Sequence, residues 1–287
     1  MNYRHSFHAG NYGDVFKHTL LVLLLRALQR KAKGFLYLDT HAGRGAYDLR
    51  AAAGRPERPP EWPQGIGRLW NASGLLPPLA DFVALVRAFD RRAGAGGARP
   101  PRLYPGSPWL AALVRRPQDR LALWEQQPAE ARALRAAFAR WPRVAVTAGD
   151  GYRALRALLP PPERRALVLI DPPFEAQNEF EAILDCLGEG RQRFPSGVYA
   201  VWYPVTERAR ADAFHAALRR RALAPTLWAE LAVSADAAVR MKGCGLVVLN
   251  PPWGFAQGLP PVLAALSSLL GVGAGAAGRM DWLVPET

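Results

Sequence analysis

The sequence predicts an α/β fold: a doubly wound domain with a mostly parallel, seven-stranded sheet and one inserted, partly helical segment. Three observations lead there. Seven short β-rich runs recur along the 287 residues. Most of them are unbroken Val, Ile and Leu text, the pattern of strands buried on both faces of a parallel sheet. Between several of them lie stretches with helical spacing, which supply the crossovers a parallel sheet needs.

The elements follow in order. An apolar helix begins near Lys17 and His18; its run Leu20 to Leu25 is too short to span a bilayer. The first strand is FLYLDT (35–40) and the next LALWE (121–125). A helix over PAEARALRAAFARW starts at Pro128, where a proline is tolerated in the first turn. Strands RVAVTAGD (143–150), ALVLIDPP (166–173) and GVYAVWYPV (197–205) come next. TERARADAFHAALRRR then reads as a helix from Thr206, ahead of strands TLWAELAV (226–233) and GLVVLNPP (245–252). The tail from Gly271 is Gly/Ala-rich and ends in DWLVPET, which carries no clear signal.

One segment breaks the rhythm. From Ala51 to Pro105 no strand is expected, and Pro, Gly and Arg surround a single helical stretch, LADFVALVRAFDRR. A loop this long inside a compact domain is usually an insertion. The expected organisation is a main domain over 1–50 and 105–287, with a small subdomain over 51–104; a mobile loop is the alternative.

Composition narrows the function. The net charge is +13, which favours an acidic partner, most commonly nucleic acid. Two cysteines exclude a disulfide scaffold and a four-cysteine zinc site. The first residues lack the layout of a signal peptide, so a cytoplasmic protein is expected, with no membrane association. Four of the five histidines lie early, at His5, His8, His18 and His41, without nearby cysteines, and no metal is expected.

The chemistry-bearing text sits at strand ends, where open α/β sheets bind ligands. Asp39 is followed by Gly43-x-Gly45, whose glycines allow close backbone approach. The third glycine of the dinucleotide fingerprint is missing, and acid-x-x-x-Gly-x-Gly suits an S-adenosylmethionine turn. Asp171-Pro172-Pro173-Phe174 follows the strand ALVLI. The prolines fix a rigid turn, Asp171 and the Pro172 carbonyl can accept from an amine, and Phe174 offers a stacking face. Glu125 and Asp150-Gly151 end two further strands, so four acids at four strand ends suggest one site. His18 and His41 are placed to donate to the carboxylate end of a cofactor. Asn250-Pro251-Pro252-Trp253 has the same shape as the Asp171 turn. Its strand comes late, toward an expected sheet edge, so it reads as structural or substrate-lining.

These residues resemble a known family. YRHSFHAGNYGDVFKH from Tyr3, LDTHAGRG, YPGSP (104–108), GDGY and DPPFE are similar to the RlmJ-type 23S ribosomal RNA adenine-N6 methyltransferases. The likeness runs from the N-terminus to the Asn250–Trp253 region. It implies a Rossmann-like class I methyltransferase dependent on S-adenosyl-L-methionine, with a small helical insertion. It further implies a monomer acting on 23S rRNA. By motif match, cofactor contacts would fall on His18, His41, Ser107, Glu125, Asp150, Gly151 and Asp171. Asp171, Pro172 and Phe174 would carry catalysis, and Tyr3 and Phe174 would touch the substrate. The family usually has Tyr where this chain has Phe174. Two rival readings keep the fold: a methyltransferase for DNA adenine or a protein glutamine amide, and a non-catalytic RNA-binding protein.

Overall fold

The computed structural model describes residues 7–50, 59–92, 94, 101–234, 241–272 and 275–286. In chain order the strands are β1 (Leu36–Asp39), β2 (Ala46–Asp48), β3 (Leu103–Pro105), β4 (Arg120–Glu125), β5 (Val144–Ala148), β6 (Ala166–Ile170), β7 (Val198–Val205), β8 (Thr226–Ala232), β9 (Gly243–Leu249) and β10 (Ala277–Val284). Eight of them form one sheet in the order β10-β8-β9-β7-β6-β1-β4-β5. The five from β7 to β5 run parallel, β9 is antiparallel to both of its neighbours, and β10 is antiparallel to β8.

The helices are α1 (Tyr12–Gln29), α2 (Ile66–Trp70), α3 (Pro77–Arg92), α4 (Ser107–Val114), α5 (Pro128–Phe138), α6 (Tyr152–Leu158), α7 (Glu179–Arg193), α8 (Arg208–Arg221) and α9 (Phe255–Leu270). They cover both faces of the sheet. Leu167 and Leu169 of β6 enter one core with residues of α1, α4, α5 and α9, whereas Val168 and Ile170 enter a second with residues of α6, α7 and α8. This two-sided burial explains the unbroken apolar text of the central strands.

The structure corrects three expectations. The sheet has an eighth strand, β10, formed by the tail. Its residues AGRMDWLV lie at an edge with mostly half-exposed side chains, so selection for apolar residues is weak there. The span from Ala51 to Pro105 does contain a strand: Leu103–Pro105 pairs antiparallel with Ala46–Asp48 and closes the base of the inserted segment. Three residues are too few to carry a readable alternation. Finally, β9 is not at the edge but lies between β7 and β8. Because it runs antiparallel, with Leu249 opposite Tyr199 at the start of β7, Asn250 emerges at the sheet end opposite Asp171. There its side-chain amide donates to the carbonyls of Pro195 and Gly197, which makes the Asn-Pro-Pro-Trp turn a structural one.

The described residues between β2 and β3 pack on helices beside the large sheet. Leu79, Phe82, Val83, Val86 and Phe89 form the buried stripe of α3, which meets α1 and α4. At its entry, Glu61 accepts from Asn11 at 2.8 Å and pairs with His8 at 2.9 Å. The Ile66 amide donates to the Gly10 carbonyl, and any side chain at Gly65 would collide with that same oxygen. Among the described residues, no helix is long and apolar enough to cross a membrane.

Candidate active site

Strands β6, β1, β4 and β5 are neighbours and parallel, so Asp171, Asp39, Glu125 and Asp150 follow one another along the carboxyl edge of the sheet. The glycine turn after β1 bends through left-handed backbone at Gly43 (φ 60°) and Gly45 (φ 85°), conformations that L side chains resist. The Gly43 amide donates to Glu125 Oε2 at 2.8 Å, and the Gln127 amide donates to Oε1 at 2.7 Å. Glu125 thus ties the turn to β4, and burial raises its carboxyl above the ordinary value. Gly151 lies against β1, where a Cβ would strike the Thr40 carbonyl.

Asp39 is fully buried. Its Oδ2 accepts from Tyr37 Oη at 2.8 Å and Ser107 Oγ at 2.7 Å, and its Oδ1 accepts from the His41 amide at 3.3 Å. Burial pushes its carboxyl up to about 6, against the pull of the two hydroxyls. Ser107, at the start of α4, is therefore placed against the acid of β1, and burial pushes the His41 ring down to about 4, leaving it neutral at pH 7. Thr40 Oγ1 donates to the Leu169 carbonyl at 3.0 Å and meets His41 Nδ1 at 2.8 Å. With the hydroxyl proton committed, Nδ1 is the donor of that pair, so Nε2 offers an acceptor where the sequence suggested a donor. His18 is buried in α1, its Nδ1 at 2.8 Å from Tyr104 Oη.

The centre of the edge is an ion-pair cluster. Asn11 caps α1 by accepting from the Asp14 amide, which sets the helix start, and α1 is buried over most of its surface. Lys17 is carried into that buried environment. Its Nζ lies 2.6 Å from Asp171 Oδ2 and 3.0 Å from Asp14 Oδ1. Burial alone would lower its pKa, but the two carboxylates reverse that and hold it well above the usual value. The ammonium also sits 5.6 Å from the ring centre of Trp202. Among the described residues, Asp171 Oδ1 has no hydrogen-bond partner, so one oxygen is anchored and the other is available.

Phe174 closes the turn after Asp171. Its backbone is left-handed (φ 51°), a strained state for a non-glycine residue of the kind that clusters at ligand sites. Its ring lies 5.3 Å from Phe180 and 6.0 Å from Trp202, so the shelf has an aromatic wall. Tyr3 lies outside the described residues. Sequence reasoning missed Lys17, Asp14 and Trp202 as members of the cluster. Asp14 and Lys17 are spaced i, i+3 in the first turns of a mostly apolar helix, and that spacing was the available signal.

The chain is similar throughout its length to proteins of known class. The family described as "RsmJ: Ribosomal RNA large subunit methyltransferase D, RlmJ" matches residues 32–284. Ribosomal RNA large subunit methyltransferase J of Escherichia coli (strain K12) is 41% identical over 288 residues, covering 100% of both chains. Its namesake in Haemophilus influenzae is 38% identical over 287 residues, again with complete coverage of both. A crystal structure of a Legionella pneumophila protein superposes with a TM-score of 0.83 at 33% identity, over 96% of this chain and 97% of that one. A parallel sheet with its acids along one carboxyl edge, a glycine turn and an Asp-Pro-Pro-aromatic shelf agree with these matches, and the chain belongs to the RsmJ family of ribosomal RNA large subunit methyltransferases.

Proposed function

We propose that the protein transfers a methyl group from S-adenosyl-L-methionine to N6 of a specific adenine in 23S ribosomal RNA, acting as a cytoplasmic monomer. The observation that carries this reading is Asp171, with one carboxylate oxygen fixed by Lys17 and the other open beside a rigid Pro-Pro-aromatic shelf.

The residues present fit the cofactor. Two left-handed glycines and the close approach of Gly151 to Thr40 leave backbone, not side chains, lining the turn beside β1. Glu125 and Asp150 stand at adjacent strand ends as acceptors for ribose hydroxyls and an adenine amino group. His41, Ser107, Gly151 and His18 complete the set that would hold it, with His41 contributing an acceptor. When bound, the cofactor supplies a methyl group on a sulfonium centre with a good leaving group.

The chain's own residues position the amine. An adenine amino group is a weak nucleophile, since its lone pair is delocalised into the ring. Asp171 Oδ1 and the Pro172 carbonyl would each accept one N–H, favouring a geometry in which the lone pair points away from the ring. Lys17 prevents Asp171 from turning aside. Phe174 would stack on the base after it is splayed from its neighbours. Such positioning and electrostatic preorganisation contribute on the order of several kcal/mol. Tyr3 and the surplus of arginines would engage the RNA backbone and neighbouring bases.

The experiment is digestion of enzymatically labelled 23S rRNA to nucleosides. Label in N6-methyladenosine is expected. Label in another nucleoside, or only in DNA or protein acceptors, would contradict the assignment.

A further inference from the structure

Outside the strand-end site, a groove lies between α7 and α8. It encloses about 390 Å³ and is lined by Phe180, Glu181, Arg210, Ala213, Ala217 and Arg220 among others. That volume lies within the range of about 300–1,000 Å³ common to ligand sites. We propose that this groove binds the single-stranded RNA that flanks the target base; the proposal rests on the RNA-methylation reading above.

Three observations support it. The first is continuity. α7 and α8 follow the carboxyl ends of β6 and β7, so both helices begin at the catalytic edge and the groove runs away from it. Phe180 is the joint, with its ring 5.3 Å from Phe174 on the shelf and 4.7 Å from Phe214 in the groove. A strand whose target base lies on Phe174 therefore has Phe180 as its next aromatic surface.

The second observation is the chemistry of the walls. The Arg210 guanidinium lies 5.8 Å from the Phe180 ring centre, and its Nη2 donates to the Gln177 carbonyl at 3.4 Å. An aromatic face beside a guanidinium is the combination that stacks bases and meets phosphates without reading sequence. The third is charge. Among the described residues, neither Arg210 nor Arg220 has an ion-pair partner, whereas Arg208 pairs with Asp212 and Glu230, and Arg221 with Asp185. Arg210 and Arg220 thus present charge toward the open groove, while Glu181 is the one lining acid. Ala213 and Ala217 are short side chains in the lining between them, which leaves room for a nucleotide.

The test uses the full-length protein and unmethylated 23S rRNA. Arg210→Ala/Arg220→Ala is compared with Arg219→Ala, an exposed arginine on the same helix that does not line the groove. The groove variant should raise KM for RNA about tenfold or more and flatten the salt dependence of RNA binding, since the slope of log K against log salt scales with the number of phosphate contacts. Its kcat at saturating RNA and its cofactor affinity should stay near wild type, and Arg219→Ala should change little. Glu181→Gln should act in the opposite direction and lower KM. Equal effects of the groove and Arg219 variants would overturn the groove and leave the RNA-methylation reading standing. A wild-type protein that methylates no RNA, including one that transfers only to DNA, would overturn both.

Discussion

Lys17 controls the geometry of Asp171 through a contact of 2.6 Å in a nearly closed environment. Replacing it with Met leaves two carboxylates sharing a buried site with no cation. Breaking a buried pair from one side costs about 3–5 kcal/mol, so Lys17→Met should lower unfolding free energy by roughly that amount in urea titrations and remove methyl transfer. Unchanged stability would show that the pair is dispensable. The proposed stacking role of Phe174 predicts that Phe174→Ala cuts turnover by about 100-fold, the scale of lost positioning, while Phe174→Tyr stays near wild type in the same transfer assay. Asp39 links the site to pH. Its carboxyl is raised to about 6 by burial, above its unfolded value. It therefore contributes stability that is complete below its unfolded pKa and is lost as pH rises through about 6. Asp39→Asn removes that contribution. Relative to wild type, the variant should gain up to about 3 kcal/mol between pH 4 and pH 7 by denaturant unfolding, and a pH-independent difference would contradict the assignment.

At the scale of elements, the turn after β5 is held against the turn after β1 with no room for a side chain. Gly151→Ala forces a Cβ into the Thr40 carbonyl. Overpacking of this kind costs about 1–3 kcal/mol or more. The variant should unfold at lower temperature and bind the cofactor more weakly in equilibrium dialysis; wild-type values for both would mean that the two turns can separate freely. The same elements show what the sequence could and could not disclose. The central strands were legible because each is buried on both faces, so apolar selection acts at every position. The four acids were legible because each ends an apolar run, including the half-exposed edge strand β5 before Asp150. The Lys17–Asp171 pair was not, since 154 residues separate its members and only the packing of α1 against the sheet brings them together. The antiparallel direction of β9 was equally hidden: an apolar run carries no arrow, and the Asn250 turn looked like a second shelf until its strand was seen to point the other way.

For the whole molecule, one edge of the sheet concentrates the chemistry and the surface carries the charge. The net +13 supplies attraction for a polyanion over the full surface, without choosing a base. In the proposed reading, that choice falls to the Asp171 shelf and its surroundings. The inserted segment, tied at its entry to His8 and Asn11, stands next to the N-terminal segment that precedes α1. Composition could announce the polyanion, and motif text could announce the edge. The joining of insertion and N-terminal segment needed the fold, because Glu61 lies in Pro-rich text with no periodicity to place it.

The most direct test is transfer of labelled methyl from S-adenosyl-L-methionine to 23S rRNA that lacks its native adenine methylation, with wild-type and Asp171→Ala protein side by side and duplex DNA as the control acceptor. The expected result is labelling of the RNA alone, its disappearance in Asp171→Ala, and cofactor binding that the substitution weakens at most partly. Undiminished turnover by Asp171→Ala would remove that carboxylate from the mechanism, and absence of RNA labelling by a wild-type protein that binds the cofactor would contradict the proposed substrate.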